Sequence, residues 1–376
     1  MTDLLTPGID APQGTGMAMV AVGVALVARS IDLAVYLRAA NDLLAGRDVN
    51  VTPAGELPWL YPPAAALPFV PLTWLPFDLA AALWALVSMA ALARVVQLVL
   101  RGLRQAQAPV WAVVAAALLA EPVTSTLGYG QVNLVVAWLV TEGFLGRRRW
   151  LVGVAAGIKL TPLVFLLPLI LRRDFRGATQ ALGGFAATVA VGWLLAPAAS
   201  TTYWSGLFFN PSDRIGIAYP ANQSINGALW RAAGEGGVPL LHVALAVAVL
   251  ALTVAILRRN PGDAVLALWV CGLAGLLVSP ISWIHHWVWL IPALLWLWAH
   301  GRRRLALVWG VLLVTRLTWW LPGFDSAWAV AALVTLTLLS TSQAGGSGGG
   351  TTPIWRIAPS SSRTPQCSAS RSPSVR

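Results

Sequence analysis

The sequence predicts an all-α, polytopic integral membrane protein with about 11–13 membrane segments, short half-helices among them. Three observations carry that expectation. The chain is 57% hydrophobic and 10% charged, with a mean hydropathy of +0.72. A soluble domain carries about 25% charged residues, so the polar residues here are too few to cover a globular surface. Apolar runs of about 20 residues recur between short arginine clusters, and many of the 20 tryptophans stand near run ends, as in an interfacial aromatic belt.

The runs fall near 14–31, 78–100, 108–127, 130–146, 151–171, 177–197, 238–257, 263–280, 285–300, 304–321 and 326–341. A further segment, YPPAAALPFVPLTWLP (61–76), is interrupted by five prolines. It suits a re-entrant or interfacial piece better than a span, because proline removes backbone donors that lipid cannot replace. Residues 1–13 read as a cytoplasmic N-terminal segment, 14–341 as one membrane domain, and the Gly/Ser/Pro-rich 342–376 as a disordered cytoplasmic tail. No basic region precedes the first apolar run, so a cleaved signal peptide is not expected.

A net charge of +11 raises the possibility of nucleic-acid binding. The arginines cluster at helix ends, as topology signals do, and that reading is set aside. Cys271 lies in an apolar run and Cys367 in the tail, which excludes a disulfide framework and Cys/His metal spacing.

The basic clusters are RGLR (101–104), RRR (147–149), RRDFR (172–176), RR (258–259) and RRR (302–304). With the N-terminus in the cytoplasm, the first two fall inside. Residues 151–171 then carry arginines at both ends, and one crossing would put 172–176 outside. The conflict disappears if 151–171 is a hairpin of two short arms, Leu151 to about Ile158 and Pro162 to Leu171. Lys159, the lone lysine of the chain, becomes its tip. The same count puts residues 32–60, 198–237 and 279–286 outside.

Those outer segments gather the polar chemistry. Asp32 follows the first run. Leu33, Tyr36, Leu37, Leu43 and Leu44 then mark a surface-lying amphipathic helix that also carries Asp42. YGQVN (129–133) sets Gln131 and Asn133 at a helix entrance, NQSINGALWR (222–231) supplies Asn222, Gln223 and Arg231, and His285 and His286 follow. An acid, a lysine, an arginine and two histidines suit chemistry on a phosphorylated lipid. Cations and amides hold a leaving phosphate, and a carboxylate or histidine activates a hydroxyl. Adjacent histidines diverge on a helix and no third ligand accompanies them, so neither a metal nor a cofactor is expected.

Six stretches, in order over about residues 17–340, resemble glycosyltransferase family 87, the polyprenol-phosphate-sugar-dependent membrane glycosyltransferases of the C-type fold. They are DLAVYLRAANDLLAG (32–46), YPPAAALPFVPLTWLP (61–76), GQVNLVVAWLV (130–140), GIKLTPLVFLLPLILRRDFR (157–176), NQSINGALWR (222–231) and SPISWIHHWVW (279–289). The resemblance implies transfer of a sugar, typically mannose, from a polyprenyl-phosphate donor to a glycolipid or lipoglycan acceptor outside the membrane. In actinobacteria such α-(1→2)-mannosyl and arabinosyl transfers build the cell envelope. It implies Asp32 as the base. It also implies Lys159 at the carrier phosphate, where related enzymes place a hairpin lysine.

The expected assignment is therefore Asp32 as catalytic base, with Lys159, Arg231, His285 and His286 on the donor phosphate. Tyr36, Asp42, Gln131, Asn133, Asn222 and Gln223 are the expected substrate contacts. An arabinosyl donor is the nearest competing reading. A transporter would show internal repeats with matched broken helices, and neither the lysine hairpin nor the first-loop acid recurs later in the chain.

Overall fold

The computed structural model describes residues 30–208, 216–234 and 238–341. The expected N-terminal segment, nearly all of the first apolar run, parts of the 198–237 loop and the tail from 342 lie outside them. In chain order the α-helices are α1 (Ile31–Leu44), α2 (Phe77–Gly102), α3 (Val110–Ala117), α4 (Glu121–Tyr129), α5 (Asn133–Phe144), α6 (Trp150–Ile158), α7 (Leu166–Leu171) and α8 (Phe175–Leu195). They continue with α9 (Pro197–Thr202), α10 (Ile225–Ala233), α11 (Pro239–Arg259), α12 (Ala264–Val278), α13 (Leu290–Ala299), α14 (Arg303–Thr315), α15 (Leu317–Trp320) and α16 (Ala327–Thr341). The described residues contain no strand, and an isolated β-bridge joins Asn222 to Trp283.

This is the expected all-α membrane architecture, assembled from shorter pieces than the apolar runs suggest. The helices α2, α8 and α11, of 26, 21 and 21 residues, are long and apolar enough to cross alone. At 1.5 Å per residue, about 20 residues span a ~30 Å hydrocarbon core. The run at 108–127 is not one helix: α3 and α4 meet at 79°, where Glu121-Pro122 restarts the chain with proline in the first turn. The run at 304–321 also breaks, at Arg316 in the left-handed conformation (φ 54°). The proline-rich 61–76 segment is a 3₁₀ helix, Pro63–Trp74, with Pro68 and Pro71 inside it. Such half-length pieces are tolerated in a membrane where protein surrounds their unpaired backbone.

The core forms around α12, whose residues Val265 to Leu277 are buried on every side. A helix apolar all round is an interior helix. Its start is fixed by Asp263, which accepts from Leu266 N at 2.8 Å and from Trp296 Nε1 at 2.6 Å.

The expected hairpin is present. Arg149, before α6, pairs through Nε with Asp174 Oδ2 at 3.1 Å, so the two ends of 151–171 meet. Arg149 also donates to the Phe144 and Gly143 carbonyls, and Asp174 caps α8 by accepting from Gly177 N at 2.9 Å. From that shared base α6 and α8 run parallel. A Cβ on Gly153 would run into Ala181 O and Phe185 N, one on Gly157 into Thr188, and one on Gly184 into Trp150 O. Close approach of helix backbones through small residues is how membrane helices gain packing energy without a hydrophobic driving force. Between the parallel helices the chain must return. It does so through an extended Lys159 (φ −136°, ψ 129°), a 3₁₀ turn at Thr161–Phe165 holding Pro162, and α7.

This hairpin generates a direct test. In a Cys367→Ser background, with Cys271 buried, single cysteines at the exposed Arg148 and Arg176 are expected to react with a membrane-impermeant thiol reagent from the same side of the membrane. Reaction from opposite sides would mean that 151–171 crosses once.

Candidate active site

Asp32 lies in the first turn of α1, whose buried face is Leu33, Val35, Tyr36, Ala39 and Ala40. Leu33 and Tyr36 follow the expected amphipathic pattern, whereas Leu44 is exposed. That face packs on the aromatic cluster before and within the 3₁₀ segment: the Tyr36 ring is 4.5 Å from Phe69, 5.5 Å from Tyr61 and 5.9 Å from Trp59.

Opposite Asp32, α4 ends at Gly130 with φ 68°, and a Cβ there would strike Leu33 Cβ. Glycine meets both demands, a left-handed turn and close backbone contact. Trp84 Nε1 donates to Gly130 O at 2.8 Å, and Gln131 N donates to Thr126 O at 2.8 Å, which fixes the turn. The Gln131 side chain is then committed. Its Oε1 accepts from Tyr36 OH at 2.8 Å and Tyr61 OH at 3.4 Å, and the side chain hydrogen-bonds Asp32. With both tyrosines on the carbonyl oxygen, the amide NH₂ is the group that serves the carboxylate.

Two residues on, Asn133 does the corresponding work for Lys159. Lys159 Nζ donates to Asn133 Oδ1 at 2.5 Å and stands 5.5 Å from the Tyr61 ring centroid. Asn133 Nδ2 donates to His285 O at 2.9 Å, and Thr126 Oγ1 donates to the same carbonyl at 2.9 Å. The 3₁₀ turn Ile284–Trp289 is thereby tied to the start of α5. The His285 ring is edge-on to Tyr129 at 5.5 Å and to His286 at 4.7 Å. His285 Nε2 is buried and has no hydrogen-bond partner among the described residues. Lys159 lies within electrostatic range of Asp32, His285 and His286.

Burial pushes the Asp32 carboxyl from 3.8 up to about 6, against the opposing pull of the Gln131 hydrogen bond and the Lys159 charge. A carboxylate near 6 is a better proton acceptor at neutral pH than one near 4 and is still mostly ionised there. The centre thus holds a basic carboxylate, an ammonium and an unpartnered imidazole nitrogen within one polar network.

The structure brings together Asp32, Tyr36, Gln131, Asn133, Lys159, His285 and His286. Asp42 is about 15 Å further along α1 at helical rise, ion-paired with Arg47 at 2.8 Å. Asn222, Gln223 and Arg231 belong to a separate clasp. Asn222 Nδ2 donates to Ile217 O at 3.0 Å and its Oδ1 accepts from Ser282 N at 2.9 Å. Gln223 donates to Asp325 O at 2.5 Å and accepts from Trp328 N at 3.1 Å. Arg231 donates to Ser326 Oγ at 2.8 Å, to the carbonyls of Asn222 and Tyr219, and pairs with Asp325 at 3.7 Å. Sequence reasoning named neither Tyr61 nor Thr126 nor Tyr129, although Tyr61 and Tyr129 open two of the quoted motifs.

Two clefts lie away from these residues, one among Pro168, Arg172, Leu257 and Pro261, the other beside Arg302–Arg304 and Leu338. The candidate centre is therefore identified by its chemistry. Among the described residues no group of three or more His, Cys, Asp or Glu side chains could hold a metal ion.

Helical half-spans thus surround a buried polar network that holds a carboxylate and a cation, an arrangement suited to group transfer within a membrane. The chain matches glycosyltransferase family 87 over residues 59–280, and it belongs to that family. A polyprenol-phosphate-mannose-dependent alpha-(1-2)-phosphatidylinositol mannoside mannosyltransferase of Mycobacterium tuberculosis is 35% identical over 366 residues, covering 83% of this chain and 86% of that protein. A polyprenol-phosphate-mannose-dependent alpha-(1-2)-phosphatidylinositol pentamannoside mannosyltransferase of Mycolicibacterium smegmatis is 37% identical over 358 residues, covering 85% and 87%. No solved structure matches the chain significantly.

The contacts of Arg231 lead to a prediction. Arg231→Ala is expected to lower the melting temperature by about 3 °C or more, since it strips donors from partly buried carbonyls, while KM for the sugar donor stays within about twofold. An unchanged melting temperature with a tenfold higher donor KM would return Arg231 to the phosphate.

Proposed function

We propose that this glycosyltransferase moves a mannosyl residue, in α-(1→2) linkage, from a polyprenyl-phosphate carrier to a mannosylated phosphatidylinositol-type glycolipid. The reaction takes place at the extracytoplasmic face, with both termini cytoplasmic and the tail from 342 taking no part. The relatives' specificities support the donor and acceptor. The arginine distribution supports the sidedness: Arg149 and Asp174 close the base of the hairpin and Lys159 stands at its other end.

The observation that carries the mechanism is the pairing of Asp32 with Gln131 and of Lys159 with Asn133, two side chains of one turn. In this reading the acceptor hydroxyl oxygen attacks the anomeric carbon of the donor while Asp32 takes its proton. The bond from the anomeric carbon to the phosphate oxygen breaks with inversion, and its electron pair leaves with the polyprenyl phosphate. Lys159 stabilises that developing charge where little water competes, and the free Nε2 of His285 offers a further contact. Tyr36 and Tyr61 act through Gln131, holding its amide toward the carboxylate.

The reading is tested by presenting purified protein in lipid with polyprenyl-phospho-mannose, polyprenyl-phospho-arabinose and nucleotide sugars. Transfer from the first alone is expected; transfer from a nucleotide sugar would overturn the donor assignment.

Asp32→Asn keeps shape and hydrogen-bonding capacity but removes basicity. Turnover is expected to fall by about 10²–10⁴-fold, the usual worth of general-base assistance, with donor binding retained. Because the carboxyl of Asp32 stands raised at about 6, the base is ionised above that pH. The wild-type rate should therefore decline through pH 6 on acidification, and Gln131→Leu should shift that limb upward by removing a donor to the carboxylate. A limb near pH 4 would place the base elsewhere.

At the hairpin tip, Lys159→Arg is expected to fold but turn over poorly, because a planar guanidinium replaces a compact ammonium held against Asn133. Lys159→Met should be worse. Wild-type turnover in Lys159→Met, measured in the same lipid, would sink the phosphate role.

A further inference from the structure

A second polar centre lies beside the first, and nothing in the proposed mechanism uses it. Glu121, at the break between α3 and α4, is only 4% exposed. Its Oε1 accepts from Trp319 Nε1 at 2.6 Å. Its Oε2 is buried and has no hydrogen-bond partner among the described residues. An unsatisfied buried carboxylate oxygen is costly and demands an explanation. Arg316, within electrostatic range of Glu121, sits at the break between α14 and α15 and directs its guanidinium to Thr124 Oγ1 at 3.4 Å. Two chain breaks therefore converge on a carboxylate with half of its hydrogen-bonding capacity unused.

A row of aromatic rings leads away from this carboxylate, starting at Trp319, which donates to it. The Tyr219 ring lies 5.9 Å from Trp319 and 6.0 Å from Trp283. Trp319 and Tyr219 are 41% and 47% exposed, so large ring surface stands open next to a buried acceptor. Tyr129 joins this row to the reacting centre: its ring is 5.5 Å from His285, and it is within electrostatic range of Asp32, Glu121 and Tyr219. Open aromatic faces with a convergent carboxylate suit a ligand that is apolar on its ring faces and carries hydroxyls at its edge, which describes a hexopyranose. A purely interfacial aromatic belt explains the exposed rings but leaves Glu121 Oε2 without a purpose.

We propose that Glu121, Tyr129, Tyr219, Trp283 and Trp319 form a subsite for a hexosyl ring of the acceptor glycolipid, with Glu121 Oε2 accepting from one of its hydroxyls. This rests on the function proposed above, and it places the acceptor sugar on the Tyr129 side of Asp32, away from the Lys159 tip.

The test uses the full chain in lipid nanodiscs, as wild type, Glu121→Gln and Tyr219→Leu, with melting temperatures recorded for each. In transfer assays Glu121→Gln is expected to raise the acceptor KM by about tenfold to a hundredfold, the scale of a lost hydrogen bond to a charged group, and Tyr219→Leu by about threefold to tenfold, the scale of one lost ring contact. The donor KM should hold within about twofold. In saturation-transfer NMR, methyl α-mannoside should give a signal with wild type that Tyr219→Leu abolishes. Should Glu121→Gln fail to fold, the surface variant Tyr219→Leu carries the test. An unchanged acceptor KM in the folded variants overturns the subsite and leaves the transfer reaction standing. If wild type transfers nothing, the proposed function falls; a mannoside signal lost in Tyr219→Leu then still supports the subsite, and no signal in wild type overturns it.

Discussion

The constraint on which this structure turns is the placement of one ammonium at the tip of an apolar hairpin. An isolated charge removed from water is costly, so Lys159 needs partners that the hairpin does not contain. Asn133 supplies an acceptor, Tyr61 an aromatic face and Asp32 the opposite charge. Each comes from a different part of the chain, so satisfying Lys159 draws together α1, the segment before Pro63, the start of α5 and the hairpin itself. The tip reaches that position because Gly153, Gly157 and Gly184 let α6 lie against α8 without intervening side chains. A bulkier residue at any of the three would displace the arm that presents the lysine.

The acid carries the complementary cost. Burial of Asp32 outweighs the help of Gln131 and Lys159, and the folded state holds its proton up to about pH 6. Between pH 3.8 and about 6 the folded protein binds more protons at this site than the unfolded chain. By linkage, this group therefore lowers stability as pH rises through that window. The acid network thus favours basicity over stability. The Tyr36–Tyr61–Gln131 arrangement limits the loss by pairing both tyrosine hydroxyls and the Gln131 carbonyl oxygen with one another.

The hairpin is legible in the sequence because topology leaves a charge record: arginines at both ends of one apolar run admit few arrangements. Asp32, Gln131, Asn133 and Lys159 are legible as candidates because each is a polar residue among apolar neighbours, and the structure brings the four together. The clasp of Asn222, Gln223 and Arg231 is not. Those side chains look the same in sequence whether they bind a ligand or lace residues 217–224 to 280–282 and 325–328. Only the tertiary pairing decides, and neither periodicity nor composition encodes it. The break after α3 was marked by Glu121-Pro122, but hydropathy averaged over a window passes across it. Tyr61 is hidden for the opposite reason: it stands in a proline-rich stretch, and nothing local marks its hydroxyl as a partner of Gln131, 70 residues away.

The chain breaks follow a common logic. An unbroken helix in lipid satisfies its own backbone and presents only a side-chain surface, so it cannot by itself surround a polar substrate. Broken helices expose carbonyls and amides, and lipid forbids these unless protein or a polar ligand covers them. Here the interruptions gather around one region. Lys159 leaves α6 in extended conformation, Gly130 turns left-handed between α4 and α5, and residues Ser279 to Trp283 separate α12 from the 3₁₀ turn carrying His285. The α3–α4 and α14–α15 breaks meet at Glu121 and Trp319. Some of the freed groups are paired, as His285 O is by Asn133 and Thr126. Others, His285 Nε2 and Glu121 Oε2, are buried and unpartnered. Regular helix has thus been given up where the polar side chains of the chain gather, and the backbone groups set free there are covered by protein.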